Sequence, residues 1–134
     1  MLQGEIQLRV RYQETDTMGV VNHMNYINYF EVARTELLRT TGTTYREMEE
    51  QGVMLPVVEV GVRYIKPAHY DDLLTIRLRM EKLPTVKMRF DYEVLRGEEL
   101  LTTGFVVLAF MDATTRRPCR GPKRFMDAIT PYFQ

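Results

Sequence analysis

The residues best suited to chemistry lie in one stretch, Tyr12 to Glu36. A carboxylate, Asp16, precedes a glycine, Gly19, and the chain then enters a run with helical spacing. A helix start presents unpaired backbone N–H groups and a partial positive charge. Such groups stabilise an oxyanion growing on a carbonyl. A carboxylate on the adjoining loop can then attack that carbonyl or activate a water molecule. The same spacing also fits a plain turn in which Asp16 caps its own backbone, and spacing alone leaves both readings open.

Other residue types narrow the chemistry. Two histidines and one cysteine are too few soft ligands for a structural zinc site. A lone cysteine makes no internal disulfide, so no oxidising compartment is implied. Asp71 and Asp72 lack partners at metal-ligand spacing and read, with His69, as a turn. Cys119 lies between Arg117 and Arg120 and reads as a free surface thiol. Eighteen basic and eighteen acidic residues cancel, which argues against a nucleic-acid binder. The charges are segregated all the same. Residues 113–124 carry five basic side chains and no acid. That run reads as a solvated tail, or as a rim where Arg116, Arg117, Arg120 and Lys123 meet phosphates. No run approaches the ~20 apolar residues of a membrane span. The amino terminus lacks the apolar stretch of a signal peptide. A cytoplasmic protein with no integral membrane segment is expected.

These residues need elements to position them. Residues 3–12 alternate, with Ile6, Leu8, Val10 and Tyr12 on one face. A polar loop, 13–22, leads to a helix over 24–40 whose inner stripe reads Ile27, Phe30, the Arg34 stem, Leu37 and Leu38. Asn22 or Asn25 suits its start and Gly42 its end. Arg34 is expected to anchor Glu31 or a loop carboxylate. A short helix over 44–51 follows, opened by Thr44 with Glu47 and closed by Gly52. The period then becomes two, over 58–64, 74–80, 86–94 and 100–111. The last of these is apolar on both faces and reads as an interior strand. Short connections make the pairing mostly antiparallel. One α+β domain over 1–134 is expected. Periodicity admits two forms of it: the hotdog fold, an antiparallel sheet wrapped around one long central helix, and the cystatin-like fold.

The run Tyr12, Thr15-Asp16, Gly19-Val20-Val21, His23, Tyr26 and Glu31 to Glu36 resembles the 4-hydroxybenzoyl-CoA thioesterase family of hotdog proteins. It is especially similar to the acyl-CoA thioesterases associated with the Tol–Pal system. A second match is Tyr64-Ile65-Lys66-Pro67-Ala68 with Tyr70-Asp71-Asp72. The resemblance spans about residues 5–120. It implies hydrolysis of an acyl-CoA thioester to free acid and CoA, with no cofactor and no metal. It places Asp16 on the catalytic aspartate, as nucleophile or general base. It places the backbone N–H of His23 on the oxyanion donor. The His23 side chain matches the Tol–Pal-associated branch, whereas the benzoyl branch carries an aromatic there. Asn22 departs from the aromatic residue often found before that histidine, which bears on acyl preference. The expected substrate-binding residues are Gly19, Met24, Tyr26, Met54, Val60, Arg63 and Arg117, with Met18, Met24 and Met54 facing the pocket.

A homodimer or homotetramer is implied, with the site at the subunit interface and the partner's strand around Val60 to Tyr64 helping to line it. The His-Phe-Pro signature of hotdog dehydratases is absent, and His23-Met24-Asn25 differs from the His-Gly-Gly of phenylacetate-type thioesterases. A hotdog enoyl-CoA hydratase and a non-catalytic cystatin-like binding module are the alternatives.

Overall fold

The computed structural model describes residues 1–134. Five strands form one antiparallel sheet: β1 (Leu2–Arg9), β3 (Val57–Tyr64), β4 (Leu73–Met80), β5 (Lys87–Arg96) and β6 (Glu99–Ala109). Their spatial order is β1-β4-β5-β6-β3, so β3 and β1 are the edges and β5 the centre. The strand expected to be interior, β6, is flanked on both sides. The sheet wraps the long helix α1 (Asn25–Arg39), the arrangement of a hotdog fold.

Register assigns the two faces. Leu78, Tyr92, Gly104 and Val62 lie in one row across β4, β5, β6 and β3, on the helix side. Glu5, Arg77, Glu93, Thr103 and Arg63 form a row on the outer face. The inner rows join α1 in one core of 25 buried residues. Phe30 stacks on Tyr92 at 4.2 Å between ring centres. The close approach of α1 and β3 to β6 requires Gly104. A Cβ there would lie 2.8 Å from the Gly61 carbonyl and 2.8 Å from the Phe30 ring.

Some expectations change. β1 ends at Arg9, and Tyr12 leaves its inner face for a short 3-10 turn at Tyr12–Glu14, where it is 77% exposed. The buried stripe of α1 runs through Tyr26, Tyr29, Phe30, Ala33, Arg34, Leu37 and Leu38, while Ile27 faces outward. The sheet curls round the helix, so more of the helix circumference is covered than one stripe predicts. Arg34 is buried along its whole length and makes no ion pair with Glu31 or any loop carboxylate. Glu36 pairs with Arg39 instead.

The short helix α2 (Tyr45–Glu50) starts at Thr44, whose hydroxyl accepts the Glu47 N–H. The Glu47 carboxylate does not return to the cap but takes Arg124. The basic run 113–124 is not a solvated tail. It forms a turn on the Asp112 carboxylate, which accepts the N–H groups of Thr114 and Thr115. It then enters a helix, α3 (Lys123–Ile129), that buries Phe125 and Ile129. A two-residue ladder, β2 (Val53–Met54) with β7 (Met111–Asp112), ties this region to the chain before β3. Cys119 is a free thiol as expected, but half-buried rather than fully at the surface. No helix is long and apolar enough to cross a membrane.

Candidate active site

The loop between β1 and α1 is built by its own hydrogen bonds. The Asp16 N–H donates to the Val20 carbonyl and its carbonyl accepts from Gly19. Gly19 has φ 79°, the left-handed conformation that such a tight return needs. Oδ1 of Asp16 accepts the Met18 N–H at 2.8 Å. Oδ2 has no protein partner. The carboxylate is therefore oriented through one oxygen and available through the other. The turn and the acid are compatible, and the local-cap reading describes how the acid is held.

The helix mouth is fixed from three sides. Val21 N–H donates to Ala68 and Asn22 N–H to Glu14. The Asn22 side chain accepts the Met24 N–H at 3.1 Å just ahead of the helix, whose cap residue is Met24 and carries no side-chain cap bond. Asn25 instead donates its side-chain amide to the Glu14 carbonyl. Between these paired groups, the His23 N–H has no protein acceptor. Its carbonyl is held by the Tyr64 hydroxyl at 3.1 Å. A bridge between Thr15 and Val21 closes the loop, so Asp16 and His23 N–H stand on the two arms of one structure. One free carboxylate oxygen and one free N–H at a helix start form a pair that can work on a carbonyl carbon and its oxygen.

Glu14 and Tyr29 support this floor. The Glu14 carboxylate accepts the Tyr29 hydroxyl, the Arg11 N–H and the Arg11 guanidinium. Burial raises its pKa, but these donors outweigh burial and hold the carboxyl below its ordinary value. Burial, then the carboxylate alongside, pushes the Tyr29 hydroxyl up, so it stays a donor.

The β3–β4 loop forms the other wall. His69 pairs with Val20 as an isolated bridge. The Asp72 carboxylate accepts the His69 N–H and the Arg96 guanidinium, both at 2.8 Å, which is the turn expected there. Burial raises Asp72, yet its His69 and Arg96 contacts leave it below the ordinary range. Arg96 also binds Glu99 at 2.6 Å and contacts His69 Nδ1 at 3.3 Å. Lys66 completes the cluster at 2.9 Å from Glu99. Lys66 and Arg96 hold the Glu99 carboxyl down to about 2.

Not every expected residue is gathered here. Asp16, Gly19, His23 and Met24 are. The His23 imidazole is exposed and without a partner, and Met18 and Met24 are exposed on the rim at 78% and 62%. Tyr26 is buried. Its hydroxyl accepts the Ala68 N–H at 3.4 Å and its ring meets Tyr64, so it holds the loops rather than the rim. Val60 faces the helix side from the outer edge of β3. Arg63 points to the other face of the sheet, in the Thr103 and Glu93 row, because it is one residue out of phase with Val62 and Tyr64.

Met54 and Arg117 lie at the other end of β3 from Tyr64, about 25 Å away along the strand. Within one chain they do not flank Asp16. The sequence does not single out Tyr64 and Glu14 for this role, whereas Asn22 is read there as suited to the helix start. Tyr64 did head the second matching motif, which was the available signal.

The matching family model is that of the thioesterase-like superfamily, over residues 10–129. A putative acyl-CoA thioesterase, YneP, of Bacillus subtilis is 34% identical over 94% of this chain and 92% of its own length. The acyl-CoA thioesterase YbgC of Haemophilus influenzae is 33% identical over 91% and 90%. A crystal structure of a DHNA-CoA thioesterase from Staphylococcus aureus superposes with a TM-score of 0.92 at 31% identity, covering 99% of this chain and 92% of the other. With the loop, the helix mouth and the wrapped sheet in place, the chain belongs to the thioesterase-like superfamily.

Proposed function

We propose that this protein hydrolyses an acyl-CoA thioester to the free carboxylic acid and CoA. The observations that support this reading are the free Oδ2 of Asp16 and the unpaired N–H of His23, on the two arms of the loop that the Thr15–Val21 bridge closes at the start of α1. The relatives' names point to the same reaction class. The carbonyl oxygen of the thioester would take the His23 N–H and the positive end of the helix. Asp16 then either attacks the carbon, expelling the CoA thiolate and leaving a mixed anhydride for water to open, or removes a proton from the attacking water. The His23 imidazole stands on the rim, where it can protonate the departing thiolate. Exposed Tyr12, Met18, Met24 and Tyr70 surround the same mouth and would cover apolar parts of the substrate. Asp16→Asn should lower kcat by about 10²- to 10⁴-fold. Near-normal turnover in that variant across short, long and aromatic acyl-CoAs would overturn the assignment. Free-thiol detection separates thioester hydrolysis from hydration of an enoyl-CoA, which releases none.

The site is completed by a second copy. β3 is an edge strand, and Val57, Val58, Val60, Tyr64 and Ile65 are exposed along it. Pairing two β3 edges about a two-fold axis is antiparallel. It places the Val57 end of one protomer beside the Tyr64 end of its partner. The Met54 and Arg117 region of one chain would then approach the Asp16 mouth of the other. Their separation within a chain becomes proximity between chains, and Arg117 could meet a CoA phosphate there.

A further inference from the structure

The β3–β4 connection, residues 65–72, is the wall on which the Asp16 loop rests. Its two ends are fixed by backbone bonds. Ile65 and Lys66 N–H donate to the Leu101 carbonyl, and Asp71 N–H donates to the Val10 carbonyl. Its middle meets the Asp16 loop. The Ala68 carbonyl accepts the Val21 N–H at 2.8 Å, and His69 is bridged to Val20. The Val20 carbonyl in turn accepts the Asp16 N–H at 2.9 Å. Two side chains hold this middle from the other side. The Tyr26 hydroxyl accepts the Ala68 N–H. Arg96, the last residue of β5, reaches in from the β5–β6 turn. Its Nη1 lies 2.8 Å from the Asp72 carboxylate, 3.3 Å from His69 Nδ1 and 3.4 Å from the Pro67 carbonyl. The same Asp72 oxygen accepts the His69 N–H. Arg96 makes no hydrogen bond to Asp16 or His23.

We infer, on the thioesterase reading of Asp16, that Arg96 is a positioning residue for the hydrolysis: through Asp72 and the Pro67–His69 backbone it sets where the Val20–Val21 arm, and with it Asp16, stands.

Every step of this route is a backbone or a charge-assisted contact. Arg96 bonds Asp72, Asp72 bonds the His69 N–H, residues 68–69 pair with residues 20–21, and Val20 bonds Asp16. A hydrogen bond between an ionised donor and an ionised acceptor is the stronger kind. The guanidinium is itself pinned. Glu99 holds its Nη2 at 2.6 Å, and Lys66 holds Glu99 at 2.9 Å. The Arg96 side chain is 31% exposed, against 56% for Arg77, which pairs with Glu5 on the outer face. A more shielded pair is less weakened by water and salt. The Asp16 carboxylate is tied to the protein through one oxygen only, so its reach follows the loop backbone. A catalytic group must be held within roughly 0.5 Å of its productive geometry. Loss of Arg96 leaves both ends of the segment bonded, so the expected defect is a displaced loop in a folded protein.

The test pairs free-thiol release from acyl-CoAs with amide exchange followed by NMR. Arg96→Met should lower kcat by about ten- to a hundredfold and leave KM within about twofold, the mark of a misplaced group and not a lost binding contact. Asp72→Ala should do the same, and the double variant should lose no more than either single one, because both break one link. Arg96→Lys, which keeps a cation on Asp72, should recover most of the loss, and it serves if Arg96→Met does not fold. Arg77→Met, which removes the outer-face pair with Glu5, should turn over normally. The Asp16 and Val21 amides should exchange about tenfold faster in Arg96→Met and Asp72→Ala, with the Ile65 and Asp71 amides unchanged. An unchanged kcat in Arg96→Met overturns the inference. So does a raised KM at unchanged kcat, which would make Arg96 a contact for CoA. So do additive losses in the double variant, an Arg96→Lys variant as slow as Arg96→Met, or Asp16 and Val21 amides that keep the wild-type exchange rate. Absence of thiol release by wild type would fail the thioesterase reading and the inference with it. The exchange arm needs no turnover, so that failure is distinct from the loss of the Arg96 link alone.

Discussion

At the residue scale, the site depends on groups that hold other groups. Asp16 is oriented by Met18 N–H, and the helix mouth is oriented by Glu14, Asn22 and Tyr64. Glu14 is the most heavily used, since its carboxylate takes four donors, three from Arg11 and one from Tyr29, and its carbonyl takes two. Its carboxyl sits below its ordinary value in the folded protein. A depressed carboxyl contributes stability above the unfolded value of about 4.3, and loses it as pH falls through the lower folded value. Glu14→Gln should therefore reduce stability by about 1.5 to 3 kcal/mol at pH 7, the range for hydrogen bonds to a charged group. The gap should close as the pH falls below about 4. Denaturant melts of both proteins between pH 3 and pH 7 check the sign. A gap that widened in acid would contradict the role given to Glu14.

At the element scale, two glycines let β3 and α1 meet β6. The Phe105 ring lies across Gly61 on the outer face, where a Cβ would stand 2.3 Å from the ring. On the inner face, Gly104 admits the Phe30 ring and the Gly61 carbonyl. Gly104→Ala forces backbone or ring to move, which costs about 1–3 kcal/mol by overpacking. The displacement would fall on β3, which carries Tyr64 and so the His23 carbonyl. Lower thermal stability together with a loss of turnover is expected, measured by calorimetry and by free-thiol release. A variant that melts lower but turns over normally would show that β3 does not transmit the shift.

At the scale of the whole molecule, one chain holds the acid and the oxyanion donor but not the residues at the far end of β3. Light scattering at micromolar concentration should give at least twice the chain mass of 15.8 kDa. A mass of 15.8 kDa would remove the second copy from the site. Mixing an Asp16→Asn chain with an Arg117→Ala chain then reports on sharing. If Arg117 acts across the interface, mixed dimers carry one mouth with both residues intact, and KM for that mouth should approach the wild-type value.

Much of this was legible in the residues themselves. The period-two runs placed all five strands of the main sheet, and Thr44, Gly42 and Gly52 marked helix ends, because side-chain alternation, turn and capping preferences are local. The stretch from Asp16 to Glu36 carried both the site and the family, because a loop acid followed by a helix start is contiguous in sequence. Packing decided the rest. Ile27 and Tyr26 swapped expected roles because the curled sheet, not the helix pattern, chose which side of α1 was covered. Arg63 went to the outer face through a phase fixed only by the β3–β6 register. Residues 113–124 became a turn and a helix because Phe125 and Ile129 found a core that composition does not reveal. Arg34, expected to bury only its stem and to anchor Glu31 or a loop carboxylate, proved to be a buried charge beside a cavity, since burial depends on what arrives from α2, β2 and β6, far away along the chain.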